Sequence, residues 1–274
     1  MPADWSNAPD NRLSIDGTNL EYACWGPPPD RAPTLVLLHE GLGSVALWKD
    51  LPERLSTLTG FGVLVYSRAG YGESDPVDLP RPLDYMTREA TEVLGKVLDA
   101  VGVRQCVLMG HSDGGTIAAI YAGSVSDMRV RGLILIAPHF FTEPSGLEAI
   151  RAAGEAFEGG GLRERLARYH GDVDVAFKGW HGAWTDPGFE DWNVADVIDH
   201  WRIPALAIQG REDPYGTLAQ IAEIESRIYS PIETLVVEGC GHAPHVEQPD
   251  VVLPVIVEFC ARLDRLEREE VALG

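Results

Sequence analysis

Gly110-His111-Ser112-Asp113-Gly114-Gly115 stands between an apolar run, Gln105–Met109, and a stretch of helical character, Thr116–Ala122. A serine in the pattern G-x-S-x-G at a strand-to-helix junction sits on a sharp turn. Small neighbours let the backbone take the strained conformation such a turn demands. The turn exposes the hydroxyl and aims backbone N–H groups at the same spot. With 29 Gly in 274 residues the pattern alone is weak. The strand–turn–helix setting is what makes Ser112 a candidate nucleophile.

A serine hydroxyl needs a base, and the base needs an orienting acid. In sheets that present a serine this way, the order is Ser, then Asp or Glu, then His, each after a later strand. The run Ala205–Ile208 leads into Gly210-Arg211-Glu212-Asp213, and Thr234–Val237 leads into Glu238-Gly239-Cys240-Gly241-His242-Ala243-Pro244-His245. Asp213 is the expected acid, with Glu212 its neighbour competitor and Glu143 a more distant one. His242 is the expected base, and His245 reads more simply as a structural loop histidine. A tetrahedral oxyanion also needs preorganised donors. After Leu35–Leu38 the chain reads His39-Glu40-Gly41-Leu42-Gly43-Ser44, whose glycines allow close backbone approach. The N–H groups of Gly41 and Asp113 are the expected oxyanion donors.

Around these motifs short apolar runs recur at Leu35–Leu38, Val63–Tyr66, Cys106–Met109, Leu133–Ala137, Ala205–Ile208 and Thr234–Val237. Each suits a strand buried on both faces. Helical stripes at Leu47–Leu58, Tyr85–Val101 and Leu218–Ile228 alternate with them, and an antiparallel hairpin over Arg12–Asp16 and Asn19–Trp25 suits one edge. The fold class is α/β with a mostly parallel sheet. The alternation fails over 139–201, where helical patterns occupy Ser145–Ala156, Leu162–Tyr169 and Val173–Trp184. The predicted organisation is therefore a core in two parts, 1–138 and 202–274, with a helical cap, 139–201, over the carboxyl ends of the strands. Four of the seven tryptophans fall in that insertion. Trp180, Trp184 and Trp192 are candidate substrate-binding residues; the plainer reading is that they form the insertion's own core.

Lys+Arg 22 against Asp+Glu 42 gives a formal charge of −20. Such a surface repels phosphate backbones and anionic lipid heads, so neither nucleic acid nor membrane is an expected partner. No apolar run is long enough to span a bilayer, and the first residues carry no secretory signature, so a cytoplasmic protein is expected. Four separated cysteines without a CxxC pair suggest neither a disulfide framework nor a zinc site. His170, Asp172 and Asp174 lack metal-ligand spacing, and no metal or cofactor is expected. Gly41-Leu42-Gly43-Ser44-Val45-Ala46 also matches a dinucleotide-binding fingerprint, with Arg68 placed to meet a phosphate. That alternative leaves Ser112, Asp213 and His242 unexplained.

The chain resembles the α/β-hydrolase superfamily in its cap-bearing form over nearly its whole length. The resemblance rests on His39–Ser44, Ser67-Arg68-Ala69-Gly70-Tyr71-Gly72-Glu73-Ser74, Gly110–Gly115, Gly210–Asp213, and Gly241-His242 with Glu247-Gln248-Pro249. It implies an eight-stranded sheet and a cofactor-independent serine hydrolase, expected to act on a small or medium carboxylic ester through an acyl-enzyme. A carbon–carbon bond hydrolase of dienoic ring-cleavage products, using Arg68 or His181 to meet a substrate carboxylate, stays open. So does a non-catalytic ligand-binding member. Haloalkane dehalogenases and epoxide hydrolases of the superfamily carry Asp where this chain has Ser112. Two departures stand out. Glu40 replaces the usual Gly of the oxyanion loop and is expected to point outward. Ser67-Arg68 replaces a turn that usually begins with Asp, and Arg68 is expected to tie loops together.

Overall fold

The near-continuous apolar runs become strands whose two faces are both covered. β1 (Arg12–Ile15), β2 (Thr18–Trp25), β3 (Thr34–Leu38), β4 (Gly62–Tyr66), β5 (Cys106–His111), β6 (Val130–Ile136), β7 (Ala205–Gly210) and β8 (Ile232–Val237) form one open sheet in the computed structural model, which describes residues 3–273. The order is β1-β2-β4-β3-β5-β6-β7-β8. β1 pairs antiparallel with β2 and β2 with β4; every other pairing is parallel. Alternation along each strand divides the core. Val36, Leu64, Leu108 and Leu133 face one layer of helices, and Leu35, Val63, Val107 and Ile134 face the other.

The first layer holds the helical segment 85–101 and the helix Asp113–Ser124, and the second holds Leu51–Thr59 and Pro249–Leu273. One expected helix is broken. The stripe Leu47–Leu58 divides into a single tight turn, Val45–Trp48, and a fresh helix from Leu51, with Lys49 at φ 53° between them. Pro52 explains the break. Inside a continuous helix it would lack an N–H and clash with the preceding turn, whereas in the first turn both costs vanish.

The site's place follows from the strand order. After β3 the chain moves outward to β4, then returns across β3 to form β5. The loops leaving β3 and β5 therefore part in opposite directions, opening a crevice at their carboxyl ends. Between β6 and β7 lie the helices Pro144–Glu158, Gly161–Leu166 and Val173–Trp184, followed by the short turns Pro187–Phe189 and Ala195–His200. Ile150 of the first helix and Trp180 and Trp184 of the third line the pocket at that crevice. The last turn instead rests on the core: Val197 packs on Gly123, and Trp201 Nε1 donates to the Ala119 carbonyl at 2.9 Å.

Candidate active site

Ser112 sits where β5 ends and the helix Asp113–Ser124 begins, at φ 53°, ψ −122°. A non-glycine residue pays for that conformation, and close packing on both sides imposes it. A Cβ on Gly110 would strike the Gly114 carbonyl, and one on Gly114 would strike that of Leu38. Glycine at both positions thus lets the helix start press against β3 and turn the serine outward. Ser112 Oγ makes no hydrogen bond to any described residue and lines a cavity of about 260 Å³. The N–H of Asp113 opens the helix, where no intrahelical acceptor exists for it.

Opposite stands His242, lining the same cavity. Its Nδ1 donates to Asp213 Oδ2 at 2.7 Å. Asp213 also accepts from Gln209 Nε2 at 2.8 Å and, through Oδ1, from the Tyr215 N–H at 2.8 Å. Burial alone would raise this carboxyl, but the His242 ring and the Tyr215 N–H hold it below its ordinary value. His111 Nε2 donates to the His242 carbonyl at 2.7 Å, and the Tyr215 ring lies 4.7 Å from the imidazole. His242 is thus held by both its ring and its backbone.

The loop after β3 is fixed by Arg68 and His39. The Arg68 N–H donates to His39 Nε2 at 3.0 Å, so the ring's hydrogen sits on Nδ1, which donates to the Glu40 carbonyl at 2.7 Å. Arg68 Nη1 reaches the His39 carbonyl at 2.5 Å, and Nη2 reaches that of Glu40 at 2.9 Å. In a trans peptide C=O and N–H point in opposite directions. Pinning the Glu40 carbonyl towards Arg68 therefore turns the Gly41 N–H the other way. That N–H meets no acceptor among the described residues, and Gly41 lines the cavity.

The insertion contributes Ile150, Trp180 and Trp184 to the cavity, and the edge of Trp180 lies directly against Gly41. Trp184 Nε1 donates to Tyr85 Oη at 3.0 Å, and that hydroxyl donates in turn to the Asp113 carboxylate. His170 Nε2 donates to the Leu42 carbonyl at 2.9 Å while Nδ1 accepts from the Gly72 N–H at 3.0 Å. These bonds tie the insertion to Tyr85 and through it to Asp113, and to the loops that carry Leu42 and Gly72.

A model of the alpha/beta hydrolase family matches residues 35–255, a span running from β3 to the final helix. The chain belongs to that family. It is 22% identical to epoxide hydrolase 3 of Xenopus tropicalis, over 90% of this chain and 76% of that protein. The alpha/beta hydrolase sheet also superposes on solved structures. A thermophilic esterase from Thermogutta terrifontis gives a TM-score of 0.73 at 21% identity, covering 92% of this chain and 99% of that one. The enol-lactonase from Burkholderia xenovorans LB400 gives 0.70 at 22%, covering 91% and 99%.

Of the residues expected from this alpha/beta hydrolase's sequence, Ser112, His242, Gly41, Asp113, Trp180 and Trp184 line one cavity, with Asp213 bonded to His242 behind it. Trp192 does not line it. Its ring stacks on Phe189 at 5.0 Å and meets the edge of Trp184 at 5.8 Å, inside the insertion's own aromatic cluster. Glu212 is exposed, and Glu143 instead accepts bonds from Thr217 and Gln220. His245 is buried between Trp48 and His111, its pKa lowered to about 3 by burial. His170, read earlier beside Asp172 and Asp174, is committed to Leu42 and Gly72. No group of three or more metal-ligating side chains occurs among the described residues.

Glu40 does not point outward. Its side chain, 30% exposed, lines the cavity, folds back over Gly43 and places Oε2 3.8 Å from His111 Nδ1. Gln209, His111, His139 and Tyr215 escaped the sequence reading. The one local signal was a glutamine inside the otherwise apolar run that becomes β7.

Proposed function

We propose that this alpha/beta hydrolase cleaves small or medium carboxylic esters through an acyl-enzyme on Ser112, under a cap formed by the insertion. The observation that carries the reading is one cavity lined by Ser112, whose hydroxyl has no partner among the described residues, by His242 with its ring oriented by Asp213, and by Gly41 and Asp113, whose N–H groups find no acceptor there. His242 takes the hydroxyl proton as Ser112 Oγ attacks the acyl carbon. Asp213 keeps the hydrogen on Nδ1, so that Nε2 is the accepting nitrogen, and it stabilises the imidazolium that forms. The Gly41 and Asp113 N–H groups meet the oxyanion, the second with the favourable dipole of a helix start behind it. His242 then protonates the leaving alcohol, and water repeats the sequence to release the acid.

The cavity, about 260 Å³, supports a small or medium substrate. A carbon–carbon bond hydrolase of dienoic acids would need a cation for the substrate carboxylate. Arg68 is committed to the carbonyls of His39 and Glu40, and His181 lies outside the cavity, stacked on Phe177. Ser112 also sets the chain apart from epoxide hydrolases, which use Asp there.

The test is hydrolysis of p-nitrophenyl esters of increasing acyl length by the native protein and by Ser112→Ala, together with fluorophosphonate labelling. Native turnover with a short-to-medium optimum, loss of at least about a thousandfold in Ser112→Ala, and labelling that vanishes with the serine are expected. A folded native protein that neither turns over nor labels would overturn the reading.

A further inference from the structure

Of the two carboxylate residues that line the cavity, Asp113 is fully buried against Tyr85, and Glu40 is the partly exposed one that the proposed ester chemistry does not use. Glu40 lies on its wall, 30% exposed, within the loop that presents the Gly41 N–H. Its carboxylate faces the His111 ring, with Oε2 3.8 Å from Nδ1. Burial would raise this carboxyl, but the neighbouring His111 ring holds it well below its ordinary value. An ionised carboxylate at a cavity wall has more acceptor positions than one imidazole beside it can use, and those that remain suit a donor, preferably a cationic one.

The remaining walls favour the same kind of guest. Trp180, Trp184 and Tyr215 present aromatic surface, which attracts cations through the ring quadrupole. Neither Lys nor Arg lines the cavity. The nearby Arg68 is 3% exposed and spends its guanidinium on the carbonyls of His39 and Glu40. At longer range, a formal charge of −20 draws cations towards the protein and repels anions.

We infer that the cavity selects substrates bearing an organic ammonium group, with Glu40 as the specificity-determining carboxylate and the aromatic walls as its complement. This inference rests on the reading of the cavity as the substrate site of a serine ester hydrolase. Within that reading it names the substrate class: esters carrying an amine or ammonium close to the scissile bond, with acidic esters disfavoured.

The test separates selectivity from turnover. Benzylammonium, benzyl alcohol and benzoate, alike in size, are titrated into Ser112→Ala protein while tryptophan fluorescence reports occupancy, and the same three are run as competitors of p-nitrophenyl ester hydrolysis by the native protein. Benzylammonium is expected to bind at least about tenfold more tightly than the alcohol, with benzoate the weakest. The preference should shrink to within about twofold in Glu40→Gln and fall as salt is raised. Equal binding of ammonium and alcohol, no binding by any of the three, or a preference that survives Glu40→Gln would overturn the inference. Should Glu40→Gln fail to fold, the order of the three probes and its salt dependence in protein retaining Glu40 decide the matter. Fluorophosphonate labelling of Ser112 is scored separately, so a failed hydrolase reading and a failed ammonium preference give different results.

Discussion

On the floor of the cavity the groups that line it are held by hydrogen bonds to one another; on its roof, apart from the bond from Trp184 to Tyr85, they are held mainly by ring against ring. The floor groups belong to the sheet and its loops. Arg68 and His39 fix the Glu40–Gly41 peptide, and Gln209 and Tyr215 fix Asp213, which fixes His242. In the roof, Phe157 stacks on Phe177 at 3.8 Å, Phe177 meets Trp180 and His181, and Phe189 joins Trp184 to Trp192. Directional bonds hold atoms to the tolerance that proton transfer needs. Ring packing tolerates change of shape, which under the proposed reading suits a surface that chooses among esters.

The floor should be the more acid-sensitive half. His139 and His245 are buried there, with pKa values lowered to about 3 from an ordinary 6.5. In each case burial is the main cause, and neighbouring histidines add to it. A histidine with a depressed folded-state pKa binds fewer protons folded than unfolded. Stability is therefore full above pH 6.5 and falls as the pH drops from there towards the folded pKa. At pH 5 the shortfall is about 2 kcal/mol for each of the two, roughly a thousandfold in the folding equilibrium together. Asp213, held below its ordinary value, contributes in the same direction at lower pH. Urea unfolding at pH 7.5 and pH 5 reads the difference. Equal midpoints would mean that these rings do not stay neutral in the folded protein.

Arg68→Met tests the floor without touching the reacting groups. Losing the guanidinium frees the His39 and Glu40 carbonyls and lets the Gly41 N–H turn away from the oxyanion. The expected result is a kcat lowered about a hundredfold with KM nearly unchanged, since the donor acts on the transition state more than on the bound ester. Fluorophosphonate labelling should slow in parallel. A raised KM at native kcat would instead make Arg68 a substrate contact.

The floor was also the more legible half. The elbow, the acid loop and the base loop are short motifs at the ends of apolar runs, and glycine at 110 and 114 answers to local geometry. What escaped depends on neighbours distant in sequence. Gln209 reads as one polar residue in a strand until Asp213 folds back beside it. His170 reads as part of a solvated helix junction until Leu42 and Gly72 arrive at its two nitrogens. Glu40 could not be aimed from sequence, because its direction depends on His111 across the crevice and on the bare surface of Gly43. The break at Lys49 was readable from Pro52, but the apolar stripe on either side hid it.

The roof yields the smallest effect and the most direct check on how the two halves divide their work. Trp180 and Trp192 are both insertion tryptophans, yet one lies against Gly41 at the cavity and the other is stacked on Phe189 away from it. Trp180→Ala removes a wall, so KM for a short ester should rise about tenfold and the best acyl length should increase, as an enlarged apolar pocket favours longer chains. Trp192→Ala removes only packing among rings, so the acyl-length profile should keep its shape while stability falls by about 2 kcal/mol. Chain-length profiles and melting curves for both variants separate the two roles. If Trp192→Ala moved the acyl optimum as far as Trp180→Ala does, the aromatic cluster would be transmitting its packing to the cavity, and the roof would have to be treated as one recognition surface.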